Sequence, residues 1–109
     1  MNNKYTDTYM QGAYGSDVNQ VSTYQKGMPI FDVDTPSIIV DLDVAEKNIK
    51  NMQDFANSQN VSMRPHSKTN KSPYWAKKQI EQGAIGICCA KLGEAEQMAA
   101  AGIKEILIP

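Results

Sequence analysis

Val61-Ser62-Met63-Arg64-Pro65-His66-Ser67-Lys68, followed by Thr69-Asn70-Lys71 and then by Ser72-Pro73-Tyr74-Trp75-Ala76, is the stretch on which the fold turns. Side chains alternate across a strand, so Val61, Met63 and Pro65 share one face while Ser62, Arg64, His66 and Lys68 share the other. One face is oily; the other carries ionisable groups. Pro65 has no N–H for a ladder bond, which predicts a kink at that point. Ser72 then offers an N-cap and Pro73 a first helical position, and Trp75, Ala76, Gln79 and Ile80 keep helical spacing as far as Gly83, a helix-ending residue. A strand that passes through a short polar loop into a helix is the first half of a βαβ unit.

The alternation continues in both directions. Downstream, Ile85 to Ala90 reads as a short apolar strand. Leu92 to Ala101 reads as an Ala/Glu helix with Leu92, Ala95, Met98 and Ala99 on its apolar side, Gly102 ends it, and Glu105 to Ile108 begins another strand. Upstream, Asn60 marks a turn, and Ile49, Met52, Phe55 and Ala56 predict a helix over 43–58, with Asp43 and Glu46 as a capping box. Pro29 and Pro36 frame an entry segment ahead of the β-branched run Ser37 to Leu42, a further strand candidate. Strands alternating with helices predict right-handed crossovers, a parallel sheet and the α/β class. A parallel strand needs cover on both faces, and none follows the strand at 105–108. A closed α/β barrel takes about 250 residues, so the pattern reads as the N-terminal part of a TIM-like (β/α)8 barrel, incomplete in this chain. The competing reading is a small open sheet.

The chain has 109 residues, 41% apolar and 21% charged, with 11 basic against 12 acidic side chains and a net charge of -1. That composition allows one ordinary domain and gives no broad electrostatic footprint for nucleic acid or an anionic membrane. No apolar run approaches the roughly 20 residues that span a bilayer, and Met1 to Gln25 lacks the apolar core of a signal peptide, so a cytoplasmic protein is expected. Cys88 and Cys89 are adjacent, match no zinc-ligand spacing, and read as reduced, buried thiols. Residues 1–27 contain no Leu, Ile or Phe and read as a flexible polar extension carrying Tyr5, Tyr9, Tyr14 and Tyr24; the barrel domain is expected over 28–109.

Lys68 falls at the carboxyl end of its strand, where parallel α/β folds build their sites. A row of Arg, His and Lys on one strand face is costly unless it borders a polar, ligand-bearing cavity. Like charge and partial burial there favour an amine that attacks a carbonyl, which suits Schiff-base chemistry. The alternatives are a lysine that merely reaches solvent and a histidine satisfied within the structure.

Four patches together resemble the D-threonine aldolase and D-serine dehydratase family, within the wider alanine-racemase-like, fold-type III pyridoxal-phosphate enzymes. They are Met28-Pro29-Ile30, Asp34-Thr35-Pro36-Ser37-Ile38-Ile39-Val40-Asp41-Leu42-Asp43, Arg64-Pro65-His66-Ser67-Lys68-Thr69 and Gly86-Ile87-Cys88-Cys89-Ala90-Lys91-Leu92-Gly93-Glu94-Ala95-Glu96. The resemblance implies that Lys68 is the catalytic lysine forming a Schiff base with pyridoxal 5'-phosphate, and that His66 and Arg64 line the cofactor pocket. It implies a barrel followed by a β-rich domain, with Ser37 to Leu42 pairing with that second domain and barrel strands at 61–68, 86–90 and 105–108. It implies a phosphate site on later barrel loops and a divalent metal held by a His with a Cys or Asp, all outside this chain, so no metal ligand is assigned here. The implied reaction is aldol cleavage or dehydration of a small D-amino acid bearing a β-hydroxyl, by a homodimer when full length. Asn70 stands where relatives commonly have His. The other readings are a truncated non-catalytic barrel fragment, and a racemase or pyridoxal-phosphate carrier of the same fold type; the Arg-Pro-His before the lysine argues against the last two.

Overall fold

The structure, a computed structural model, describes residues 26–109. The expected polar extension and its tyrosines lie outside the described residues, apart from its last two positions. The chain divides into two units, Met1–Ile39 and Val40–Pro109. In the first, Ile30–Asp32 forms a single 3-10 turn, and the Asp34 carboxylate accepts the Thr35 amide at 3.0 Å.

The second unit carries helices α1 (Leu42–Ser58), α2 (Pro73–Gln82) and α3 (Leu92–Ala100), and the strands β1 (Ile87–Cys88) and β2 (Ile106–Leu107). β1 and β2 are parallel, with Ile87 opposite Ile106 and Cys88 opposite Leu107. Segment 61–66 runs along the other side of β1. Met63 O accepts the Ile85 amide at 2.9 Å, Pro65 O accepts the Cys88 amide at 2.8 Å, and His66 bridges Cys88 in parallel. Pro65 is tolerated here because its carbonyl, not its missing N–H, makes the bond to β1. This is the alternating α/β order read from the sequence. No helix among the described residues is long and apolar enough to cross a membrane.

Three expectations need correction. Ser37 to Leu42 forms no strand among the described residues: it enters no ladder, Leu42 already belongs to α1, and Ile38 is 92% exposed. A β-branched run becomes a strand only where a neighbour completes its ladder. The first helix is capped by Asp41, whose carboxylate accepts the Val44 amide at 3.0 Å, not by the Asp43 and Glu46 box. The capping-box glutamate lies instead at α3, where Glu94 Oε2 accepts the Lys91 amide at 3.3 Å and the Ala90 amide at 2.6 Å. That bond also explains why β1 is shorter than the expected 85–90. Ala90 is drawn toward the helix start at one end, and Gly86, at φ +150°, breaks the regular ladder at the other. Three residues of segment 61–66, Met63 to Pro65, stand against four on its neighbour, Ile85 to Cys88, which is a bulge.

The core lies between the strands and the helices. Ile87, Cys89, Ala76, Ala95, Met98 and Ile103 are buried there, with Ile80 and Ile106 packed against them. Met63 and Pro65 point to the helices as well, lining a cavity of about 220 Å³ with Ile49, Met52, Gln53 and Gln79. The oily face of the 61–68 segment therefore faces helices, as its alternation predicts.

Candidate active site

Period-2 geometry sends His66, Cys88 and Leu107 away from the core, because Ile87, Cys89 and Ile106 point into it. His66 ends the strand-like segment and caps the turn that follows. Its Nδ1 accepts the backbone N–H of Lys68 at 3.2 Å, at the start of the 3-10 turn Ser67–Thr69. With Nδ1 acting as an acceptor, the proton of the neutral ring resides on Nε2, which is left as a donor.

Ser67, between them, is buried and anchors the turn from below. Its hydroxyl donates to Cys88 O at 3.2 Å and lies 3.4 Å from Cys89 Sγ. The Lys71 amide closes the turn on Ser67 O at 2.7 Å, with Lys71 at φ +48°. The Asn70 side chain accepts the Ser72 amide at 2.9 Å and so serves the loop as an Asx turn. Lys71 Nζ lies 4.0 Å from Glu94 Oε1, which joins the loop after Lys68 to the first turn of α3.

Lys68 is held by its backbone while its side chain is exposed, without a hydrogen bond or ion pair among the described residues. The partial burial expected of it is not found. The expected strand at 61–68 is reduced to an extended segment with one parallel bridge, His66 to Cys88, and a primary amine on the turn that follows it, free to react, has the chemistry a carbonyl-bearing cofactor needs. The structure brings His66 and Lys68 into direct contact and sends Arg64 elsewhere: its Nη1 donates to Glu105 O at 3.1 Å. Cys88, expected to be buried, is half-buried beside His66, whereas Cys89 is buried; both thiols are free. Among the described residues no group of three or more His, Cys, Asp or Glu could hold a metal ion.

The residues missed from sequence are Ser67, Gly86 and Glu94. The Glu94 signal was its spacing three positions after Lys91, at a helix start. The Gly86 signal was an isolated glycine in an apolar strand run, a mark of close backbone approach.

Comparison with known proteins agrees with this architecture. Residues 40–108 match the model for the alanine racemase N-terminal domain. The chain is 46% identical over 84 residues to a D-threonine aldolase from Arthrobacter sp, covering 77% of this chain and 22% of that protein. It is 47% identical over 75 residues to a D-threo-3-hydroxyaspartate dehydratase from Delftia sp. (strain HT23), covering 69% of this chain and 20% of that protein. Among solved structures, a D-threonine aldolase from Filomicrobium marinum superposes with TM-score 0.76 at 49% identity, over 78% of this chain and 23% of that one. A D-threo-3-hydroxyaspartate dehydratase solved in a metal-free form gives TM-score 0.68 at 45% identity, over 71% of this chain and 20% of that one. The chain thus spans about a fifth of the length of the curated relatives it matches. A match over residues 40–108, with the parallel strands and crossover helices in the same order, makes this chain a member of the alanine racemase N-terminal domain family.

Proposed function

We propose that this chain supplies the cofactor lysine of a pyridoxal-phosphate-dependent lyase acting on small D-amino acids with a β-hydroxyl. The observation that carries this reading is Lys68: an unpaired amine on a turn capped by His66 and anchored by Ser67, just after the extended segment 61–66 that bridges β1 in parallel. Support for the substrate class comes from the relatives, which are named for D-threonine and for 3-hydroxyaspartate.

Lys68 Nζ would hold pyridoxal 5'-phosphate, which when bound would supply an electron sink for bond cleavage at the amino acid. His66, with Nδ1 committed to the Lys68 amide, offers Nε2–H as a donor on the same side. The buried Ser67 keeps the turn from shifting, so the amine is presented from a fixed backbone. The divalent metal of this reading, with ligands elsewhere in the full-length protein, rests on the family resemblance; among the described residues no group of three or more His, Cys, Asp or Glu could hold one. Homodimer formation is part of the same reading and rests on the family resemblance; cytoplasmic location is the expectation drawn from the sequence.

Borohydride reduction of the protein after incubation with pyridoxal phosphate tests the assignment. A pyridoxyl group on the peptide containing Lys68 is expected, and a label on another lysine would overturn it. Product analysis with D-threonine and D-3-hydroxyaspartate then separates the reactions: glycine with an aldehyde marks aldol cleavage, and an oxo acid with ammonia marks dehydration.

A further inference from the structure

Arg64 reaches across the sheet to a residue 41 positions away, donating from Nη1 to Glu105 O at 3.1 Å. The same oxygen accepts the Ile87 amide at 2.8 Å, so both its lone pairs are engaged. The guanidinium passes over Gly86. A Cβ there would lie 2.3 Å from Arg64 Nη1 and 2.4 Å from Glu105 O. Gly86 also holds φ +150°, so glycine is required twice, by backbone conformation and by space. One side chain thus ties segment 61–66 to β2 across the bulge that precedes β1.

The bulge sets the register of segment 61–66 against β1, so a side chain that clasps across it bears directly on that register. A slip of one residue would exchange the faces of His66 and Ser67, and both hydrogen bonds that hold the Lys68 turn would be lost. We propose that Arg64 is a positioning residue: its clasp on Glu105 across Gly86 fixes the register of segment 61–66, and so places His66 and the turn carrying Lys68. This rests on the reading of Lys68 as the cofactor lysine. Arginine suits the task because its guanidinium stays charged and makes a charge-assisted bond to a carbonyl.

The test compares Arg64→Met, which keeps the apolar stem and removes the donors, with Arg64→Lys, which keeps one charged donor. Amide hydrogen exchange at Ile87 and Lys68 is measured in the cofactor-free protein, and pyridoxal-phosphate uptake is followed by absorbance. Arg64→Met should speed exchange at both amides and weaken uptake about tenfold, the scale of one charge-assisted hydrogen bond. Arg64→Lys should restore both in part. Weakened uptake with unchanged exchange would mean that Arg64 touches the cofactor itself, and would overturn the clasp. Faster exchange at Ile87 with unchanged uptake would make the clasp structural only, and would overturn its positioning role. A borohydride label away from Lys68 in the unsubstituted protein would overturn the cofactor reading and the positioning role together, whereas exchange unchanged in Arg64→Met overturns the clasp alone.

Discussion

The two faces of the parallel segment are built from different chemistry. Toward the helices stand Ile87 and Cys89, both 0% exposed, with Met98 at 1% and Ile106 packed on them. Away from the helices stand Arg64, His66 and half-buried Cys88, with Leu107 beside them at 49% exposure. Apolar burial on the first face stabilises the fold, and hydrogen bonds on the second orient groups without adding much burial. Substitutions on the two faces should therefore separate loss of stability from loss of function.

The largest effect is expected at Lys68. If Lys68 holds the cofactor as proposed, Lys68→Ala should lower turnover by about a thousandfold or more, the scale of removing a covalent catalytic group. Thermal unfolding should barely change, because the side chain makes no bond among the described residues. Unfolding at a much lower temperature would break the contrast between the faces. Ile87→Ala is the converse. Truncating a fully buried isoleucine should cost about 2–5 kcal/mol, measurable by denaturant titration. A change under about 1 kcal/mol, closer to the scale of a surface substitution, would mean that this face is not the core.

His66→Ala should fall between the two classes. It removes the acceptor for the Lys68 amide, and loss of a side-chain cap costs about 1 kcal/mol. Amide exchange at Lys68 should rise while exchange within α1 stays constant. Equal changes in both would show that His66 supports the whole unit instead of its turn.

The sequence made one face easier to read than the other. Period-2 alternation placed Met63 and Pro65 toward the helices and Arg64 and His66 away from them, and Pro73 and Gly83 bracketed α2 because proline and glycine act locally. Lys68 was legible for the same reason, as a strand-end lysine followed by a loop and a helix. The Arg64 clasp was not, since its partner is a backbone carbonyl 41 residues away and no residue type marks a carbonyl. Ser37 to Leu42 misled in the opposite sense. Its β-branched side chains fit a strand, but pairing depends on a neighbour that local sequence does not reveal. Asp41 outcompeted Asp43 as cap because the chain is still extended at Asp41 and already helical at Asp43.

The smallest effect belongs to neither face, and it calibrates the others. Lys78 Nζ lies 2.9 Å from Glu46 Oε1, linking α2 to α1 at the surface. The hydrogen bond that Lys78 donates to the Glu46 carboxylate first, and that carboxylate's charge second, raise the Lys78 ammonium above its ordinary pKa of 10.5. A raised value in the folded state means that the pair's stabilisation is fully present below the unfolded value and is lost as pH rises through the folded one. Glu46→Gln should therefore lower the unfolding temperature slightly at neutral pH, and the gap from the unsubstituted protein should close in strongly alkaline solution. Added salt should shrink it as well, because the pair is partly exposed to solvent. A gap that persists at alkaline pH would assign the loss to side-chain packing between α1 and α2, and would give the helix layer a stabilising contact independent of charge.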